Sequence, residues 1–164
     1  IGERIRRIIL DRDCAEMDDM TEAMLYAAAR AQHVAQVIRP ALLAGKIVIC
    51  DRFVDSSIAY QGYGRGLGEA VSVINDYAVC GCLPDVTFLM KMDPRVGRRR
   101  INVQQQDRLE REKDDFHVRT YEGYLELEKK YPGRIVGIDA ARSIEEIKID
   151  IYKKLEEVLK GVTE

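Results

Sequence analysis

No apolar run in this sequence approaches the length needed to span a bilayer, and no secretory signal pattern is present, so neither a membrane helix nor export is expected. An excess of one charge is lacking too. Lysine and arginine number 26 against 28 aspartates and glutamates, a net of −2 at pH 7, which gives no general attraction for nucleic acid. The arginines nevertheless cluster, at Arg4, Arg6 and Arg7 and at Arg95, Arg98, Arg99 and Arg100. Such clusters in an acidic protein suit a small anionic ligand better than a long polyanion. A solvated helix face explains either cluster alone equally well. Histidine is scarce: His33 and His117 stand in separate predicted helices, so no metal site is expected. Among the four cysteines, Cys80-Gly81-Cys82 is too tight for an ordinary bridge and has no second pair with which to hold zinc. The expectation is reduced, buried thiols and a cytoplasmic compartment. Internal repeats and low-complexity linkers are missing as well.

What is there is the composition of an ordinary globular domain, 164 residues with 46% hydrophobic and 33% charged, read as one domain over 1–164. The most informative stretch is the apolar run Lys46–Cys50 followed by Asp51-Arg52 and the block Phe53–Gly66. A parallel strand over 46–50 would deliver an acid and an arginine to the carboxyl edge of a sheet, where ligands of open α/β sheets bind. Arginine there offers a fork of donors suited to phosphate. The hydroxyls, amide, tyrosines and glycines that follow are the palette for a polar planar ring and a sugar.

Periodicity and capping signals predict helices over 2–10, from Asp18 to Gly45 with a kink or restart at Pro40, over 69–80, from Asp93-Pro94, over 114–130, and from the Ser143–Glu146 capping box to about 160. A short helix is predicted at 55–61 before a Gly-rich loop at 62–68. Strands are predicted at 46–50, 85–92 and 134–138. Alternating strands and helices argue for a three-layer α/β domain with a parallel sheet. Three strands are few for so many helices, which implies further strands upstream. The first residues read as helix interior with no cap ahead, so the chain is expected to begin earlier than Ile1.

Taken in order and spacing, the segments Gly2–Arg6, Thr21–Arg30, Asp51–Gly66, Leu83–Thr87, Asp107–Glu110, Phe116-His117, Glu122–Leu127 and Ile138–Ala140 resemble the bacterial thymidylate kinases. The resemblance runs over essentially the whole chain. It implies a P-loop kinase-like parallel sheet with helices on both faces, a lid at about 98–111, and transfer of a phosphoryl group from ATP to dTMP with Mg²⁺, by a homodimer without nucleic-acid or membrane partners. The family's first strand, its Gly-x-x-x-x-Gly-Lys-Ser/Thr loop and its second strand have no match before residue 46. The resemblance thus implies that these residues are part of a longer chain, with the first two strands missing.

The resemblance also assigns roles. Arg52 contacts the dTMP phosphate and the group in flight, and Asp51 helps hold the magnesium–phosphate assembly or orients the acceptor; a structural ion pair and a strand-end cap are the competing readings. Tyr26 stacks on thymine and Arg30 bonds a ring carbonyl, four residues apart on one helix face. Ser57 and Gln61 read the polar edge of the base, Tyr60 crowds the sugar 2′ position, and Arg6 lies near the dTMP phosphate. Core packing for Tyr26 and a solvated face for Arg6 are the alternatives. On the ATP side stand Arg108, the loop Ala140-Ala141-Arg142, and Arg98; the run Ile101–Gln106 lacks the basic lid residues of several relatives, so either Arg98 or Arg100 substitutes for them or, the favoured reading, the basic residue belongs to the absent P-loop. The small-residue face Ala23, Ala27, Ala28 and Ala31 fits a homodimer or intrachain packing. A related deoxynucleoside kinase and a non-catalytic nucleotide-binding fragment are the rival functions.

Overall fold

The computed structural model describes residues 1–93, 96 and 107–162. The chain divides into two compact units, one built from residues 1–83 and 102–124, the other from 84–101 and 125–164.

In the first unit α1 (Gly2–Leu10) buries Ile9 completely. Helix α2 (Asp19–His33) starts where Asp18 Oδ2 accepts the backbone N–H groups of Met20 and Thr21 at 2.9 and 3.2 Å. It does not break at Pro40. It widens into a π-type segment, Val34–Ile38, and continues as α3 (Arg39–Leu43). Proline has no N–H, and its ring crowds the carbonyl one turn back; a wider turn immediately before it accommodates both. Gly45, at φ 71°, then closes the helix, with Gly45 N–H on Leu42 O at 2.9 Å and Lys46 N–H on Ala41 O at 3.0 Å.

The strand predicted at 46–50 is a correction. The segment joins no ladder among the described residues, with Val48 packed on the core of Val34, Ile38, Val54 and Val79. Ile47 and Ile49 point outward, 75% and 95% exposed. Alternation supplies the strand pattern, but a strand exists only where a neighbour completes its hydrogen bonds. The Gly-rich loop is a second correction. Helix α4 (Val54–Ser57) runs into another π-type segment, Ile58–Gly64, so Gly62 and Gly64 are helical and buried. Gly64 is required by packing: a Cβ there would lie 2.7 Å from both Phe116 Cε2 and Thr120 Oγ1. Helix α5 (Glu69–Val79) ends on Cys80 in the left-handed region. The cysteines are free but not buried, which corrects the expected burial: Cys50 and Cys80 are exposed, Cys14 and Cys82 half-buried. Cys50 lies on the segment 46–50, outside any ladder, and Cys80 on a helix cap, and both are exposed.

In the second unit β1 (Thr87–Lys91) pairs in parallel with β2 (Ile135–Asp139), Thr87 opposite Ile135 and Lys91 opposite Asp139. Between them in sequence lies α6 (Asp114–Lys130), whose residues from Leu125 belong to this unit. Lys91 Nζ donates to Glu128 Oε1 at 3.0 Å, and this pair occupies the space over Gly137 where any Cβ would sit. Helix α7 (Ile144–Val162) opens on the predicted capping box: Ser143 N–H donates to Glu146 Oε2 at 3.0 Å, and Glu146 N–H donates to Ser143 Oγ at 3.3 Å. The helix predicted from Asp93-Pro94 lies mostly outside the described residues. No described helix is long and apolar enough to cross a membrane.

Candidate active site

Helical spacing stacks Glu22, Tyr26 and Arg30 on one face of α2. Arg30 is the best anchored. Its Nη1 donates to Asn75 Oδ1, its Nη2 donates to Phe53 O at 3.0 Å, and its guanidinium carbon lies 5.5 Å from the centre of the Phe53 ring. Asn75 spends its own Nδ2 on Val71 O at 2.8 Å, which turns the amide oxygen toward Arg30. Burial pulls the Arg30 guanidinium down to about 10 against the pull of neighbouring Cys50, Tyr26 and Asp55. Half-buried Tyr26 is pushed up to about 12, mainly by burial and then by Glu22, while Arg6 and Arg108 pull the other way. Exposed Arg6 therefore sits in the electrostatic range of Tyr26.

Arg52 occupies φ 63°, in the left-handed region that a side chain disfavours. Its guanidinium carbon is 5.1 Å from the centre of the Tyr60 ring. Desolvation pulls the group down, but the Tyr60 and Tyr124 hydroxyls and Asp51 outweigh it, and the guanidinium is held above its ordinary value. Asp51 beside it is exposed. The Tyr60 ring stands edge-on to Phe116 at 5.9 Å and to Tyr124 at 6.3 Å. Tyr124 Oη lies 2.7 Å from Ser56 Oγ, and burial pushes its phenol up to about 12. Ser57, the predicted base reader, is 2% exposed.

Gln61 is also buried, and its Nε2 donates to Glu22 Oε1 at 2.8 Å. Glu22 is wholly buried. It further accepts Arg65 Nε at 3.3 Å and Arg65 Nη2 at 3.0 Å, and it receives Arg108 Nη2. Burial would raise the Glu22 carboxyl, but the hydrogen bonds from Arg65, Gln61 and Arg108 hold it below the usual carboxylate range. Arg108 also donates Nε to Ile9 O at 2.9 Å, so this predicted nucleotide-side arginine is tied to α1 and α2.

The first unit thus brings together Tyr26, Arg30, Arg52 and Tyr60, with Gln61 and Arg108 joined through Glu22. Ala140 and Arg142 belong to the second unit, where Ala140 N–H donates to Lys91 O at 2.9 Å and Arg142 pairs with Asp150. Arg98 lies outside the described residues. A cavity of about 210 Å³ elsewhere in the first unit is lined by Asp19, Gly64, Arg65, Glu112, Lys113 and Arg119, among others. Its arginines are already engaged, Arg65 with Glu112 at 2.7 Å and Arg119 Nη2 with Gly64 O at 2.8 Å. We therefore take the Tyr26–Arg30–Arg52–Tyr60 group as the candidate site.

Sequence reading missed Glu22, Phe53, Asn75 and Tyr124. One signal was available for Glu22, four residues before Tyr26 and eight before Arg30 on the same stripe. For Asn75 the signal is an amide at a buried position of an otherwise apolar helix face.

A family model described as Thymidylate kinase matches residues 1–151. Among curated relatives, a thymidylate kinase of Halalkalibacterium halodurans is 48% identical over 163 residues, which cover 97% of this chain and 78% of the relative. One from Lactobacillus helveticus is 51% identical over 163 residues, 97% of this chain and 77% of the relative. One from Latilactobacillus sakei is 52% identical over 151 residues, 90% of this chain and 71% of the relative.

Proposed function

This chain belongs to the thymidylate kinase family, and from that premise we propose how its own residues serve the transfer of the γ-phosphoryl group of ATP to dTMP. The observation that carries the reading is Arg52, held over the Tyr60 ring beside the Arg30–Phe53 platform. Phosphoryl transfer needs positioning and charge neutralisation more than covalent help. Arg52, permanently cationic and raised on a strained backbone, binds the acceptor phosphate and stabilises the charge on the group in flight. Tyr26 stacks on the thymine ring and Arg30 donates to a ring carbonyl. Tyr60 fills the space beside the sugar, which favours the deoxy form, while Ser57 and Gln61 read the base edge. Arg6 adds positive charge toward the phosphate. Arg98, Arg108, Ala140 and Arg142 are proposed for the ATP side.

Mg²⁺, which accompanies ATP in such transfers, neutralises phosphate charge when bound. It needs only one or two carboxylates when phosphates and water complete its shell. Asp51 fits that requirement, being exposed and adjacent to Arg52, and would hold the ion. The proposal extends to a cytoplasmic homodimer, supported by exposed Met24, Val37 and Leu43. It extends also to a wider P-loop kinase-like sheet of which β1 and β2 form part, and to a lid near 98–111. The non-catalytic alternative is not favoured, because the match to the kinases spans nine-tenths or more of this chain.

The test is Arg52→Ala in the full-length enzyme, followed by dTDP formation. We expect kcat to fall at least about a hundredfold with native circular dichroism, as for loss of one preorganised charge-stabilising group. Near-normal turnover would overturn the assignment.

A further inference from the structure

Glu22 is a carboxylate with no contact to solvent, pinned on one oxygen by Arg65 and Arg108 and on the other by Gln61 and Arg65. Two guanidinium forks fix its orientation. A carboxylate can only accept hydrogen bonds, so it determines which end of the Gln61 amide faces it. The nitrogen end must, at 2.8 Å, and the amide oxygen is then turned away from Glu22. The π-type segment Ile58–Gly64 carries both Tyr60 and Gln61, which ties this amide to the candidate site by adjacent backbone.

We propose that Glu22 is a specificity-determining positioning residue: by capturing the Gln61 nitrogen it presents the Gln61 oxygen, an acceptor, to the base. The inference rests on the reading of Gln61 as a base-edge residue. An acceptor at that edge complements a ring that offers an imide N–H, as thymine does. It opposes a ring that offers a bare nitrogen lone pair there, as cytosine does. Without Glu22 the amide is free to turn and offer either end, and discrimination is lost. The lowered carboxyl of Glu22 agrees with its standing ionised at neutral pH.

The decisive variant is E22Q, which keeps shape while allowing residue 22 to donate as well as accept. Calorimetric binding of dTMP and dCMP to the full-length enzyme reads the effect. The expected result is a fall of about tenfold or more in the dTMP-over-dCMP preference, the consequence of one base-edge group no longer being mismatched. Arg65→Met is the structural control, since it disturbs the same cluster but leaves the Glu22–Gln61 bond; its preference should stay within about twofold of wild type. An unchanged preference in E22Q, or an equal loss in Arg65→Met, overturns the proposal. If E22Q does not fold, the wild type decides through its Gln61 side-chain amide protons, identified by their loss in Gln61→Ala. Slow solvent exchange supports the pinned nitrogen, and exchange as fast as an exposed glutamine overturns it. A wild type that does not prefer dTMP would sink the thymidylate reading itself. Retention of that preference in E22Q would sink this inference alone.

Discussion

At the scale of single residues, the backbone of Arg52 matters as much as its charge. A left-handed conformation costs an L-residue about 1–2 kcal/mol, of which glycine's extra chain entropy would return about half. Arg52→Gly should therefore be about 1 kcal/mol more stable than Arg52→Ala in urea denaturation, while both lose turnover alike. Equal stabilities would mean that φ 63° carries no strain. Much of the site's membership was legible residue by residue. Tyr26 and Arg30 share a face because four residues make about one helical turn, and Asp51-Arg52 stand out at the end of an apolar run. Glu22 was not legible. Its meaning depends on Gln61, Arg65 and Arg108, which lie 39, 43 and 86 residues away, and no local pattern announces a meeting at that range.

At the scale of elements, the helix ends were legible because caps are local chemistry. Asp18, Gly45 and Ser143 each do what their side chain or conformational freedom permits. The segment 46–50 and the two π-type segments were not, because a strand needs a neighbour and a widened turn needs tertiary pressure. Close packing of α6 on the Ile58–Gly64 segment gives a graded test. A Cβ on Gly123 would lie 2.7 Å from Tyr63 Cγ and 2.8 Å from Tyr63 Cβ, an atom that no side-chain rotation moves, though Tyr63 is 41% exposed. A Cβ on Gly64 meets Phe116, only 3% exposed, and Thr120, whose hydroxyl is bonded to Phe116 O. Gly64→Ala should cost about 1–3 kcal/mol by overpacking. Gly123→Ala should cost less than Gly64→Ala, because alanine's better helix propensity, about 1 kcal/mol, offsets part of the overpacking. Denaturant midpoints check the order, and a more harmful Gly123→Ala would contradict this packing.

At the scale of the whole molecule, titration of buried phenols sets an alkaline limit. Tyr26 and Tyr124 are both pushed up to about 12 from an ordinary 10, each chiefly by burial. A raised acid keeps its proton in the folded state where the unfolded chain has lost it. Their contribution to stability is therefore complete below pH 10 and disappears as pH rises toward 12. Ultraviolet absorbance should show these two tyrosines ionising together with unfolding. Ionisation of all eight tyrosines near pH 10 with the fold intact would refute this.

The Glu22 cluster also has a consequence for a chain emerging from the ribosome. Its acid is made 86 residues before Arg108, the last of its partners. Until that arginine has been synthesised, the carboxylate is better left hydrated than buried with an incomplete set of counter-charges. The α1–α2 layer therefore gains its full set of counter-charges only once a cation 86 residues downstream has been made, and its closing is expected late in synthesis.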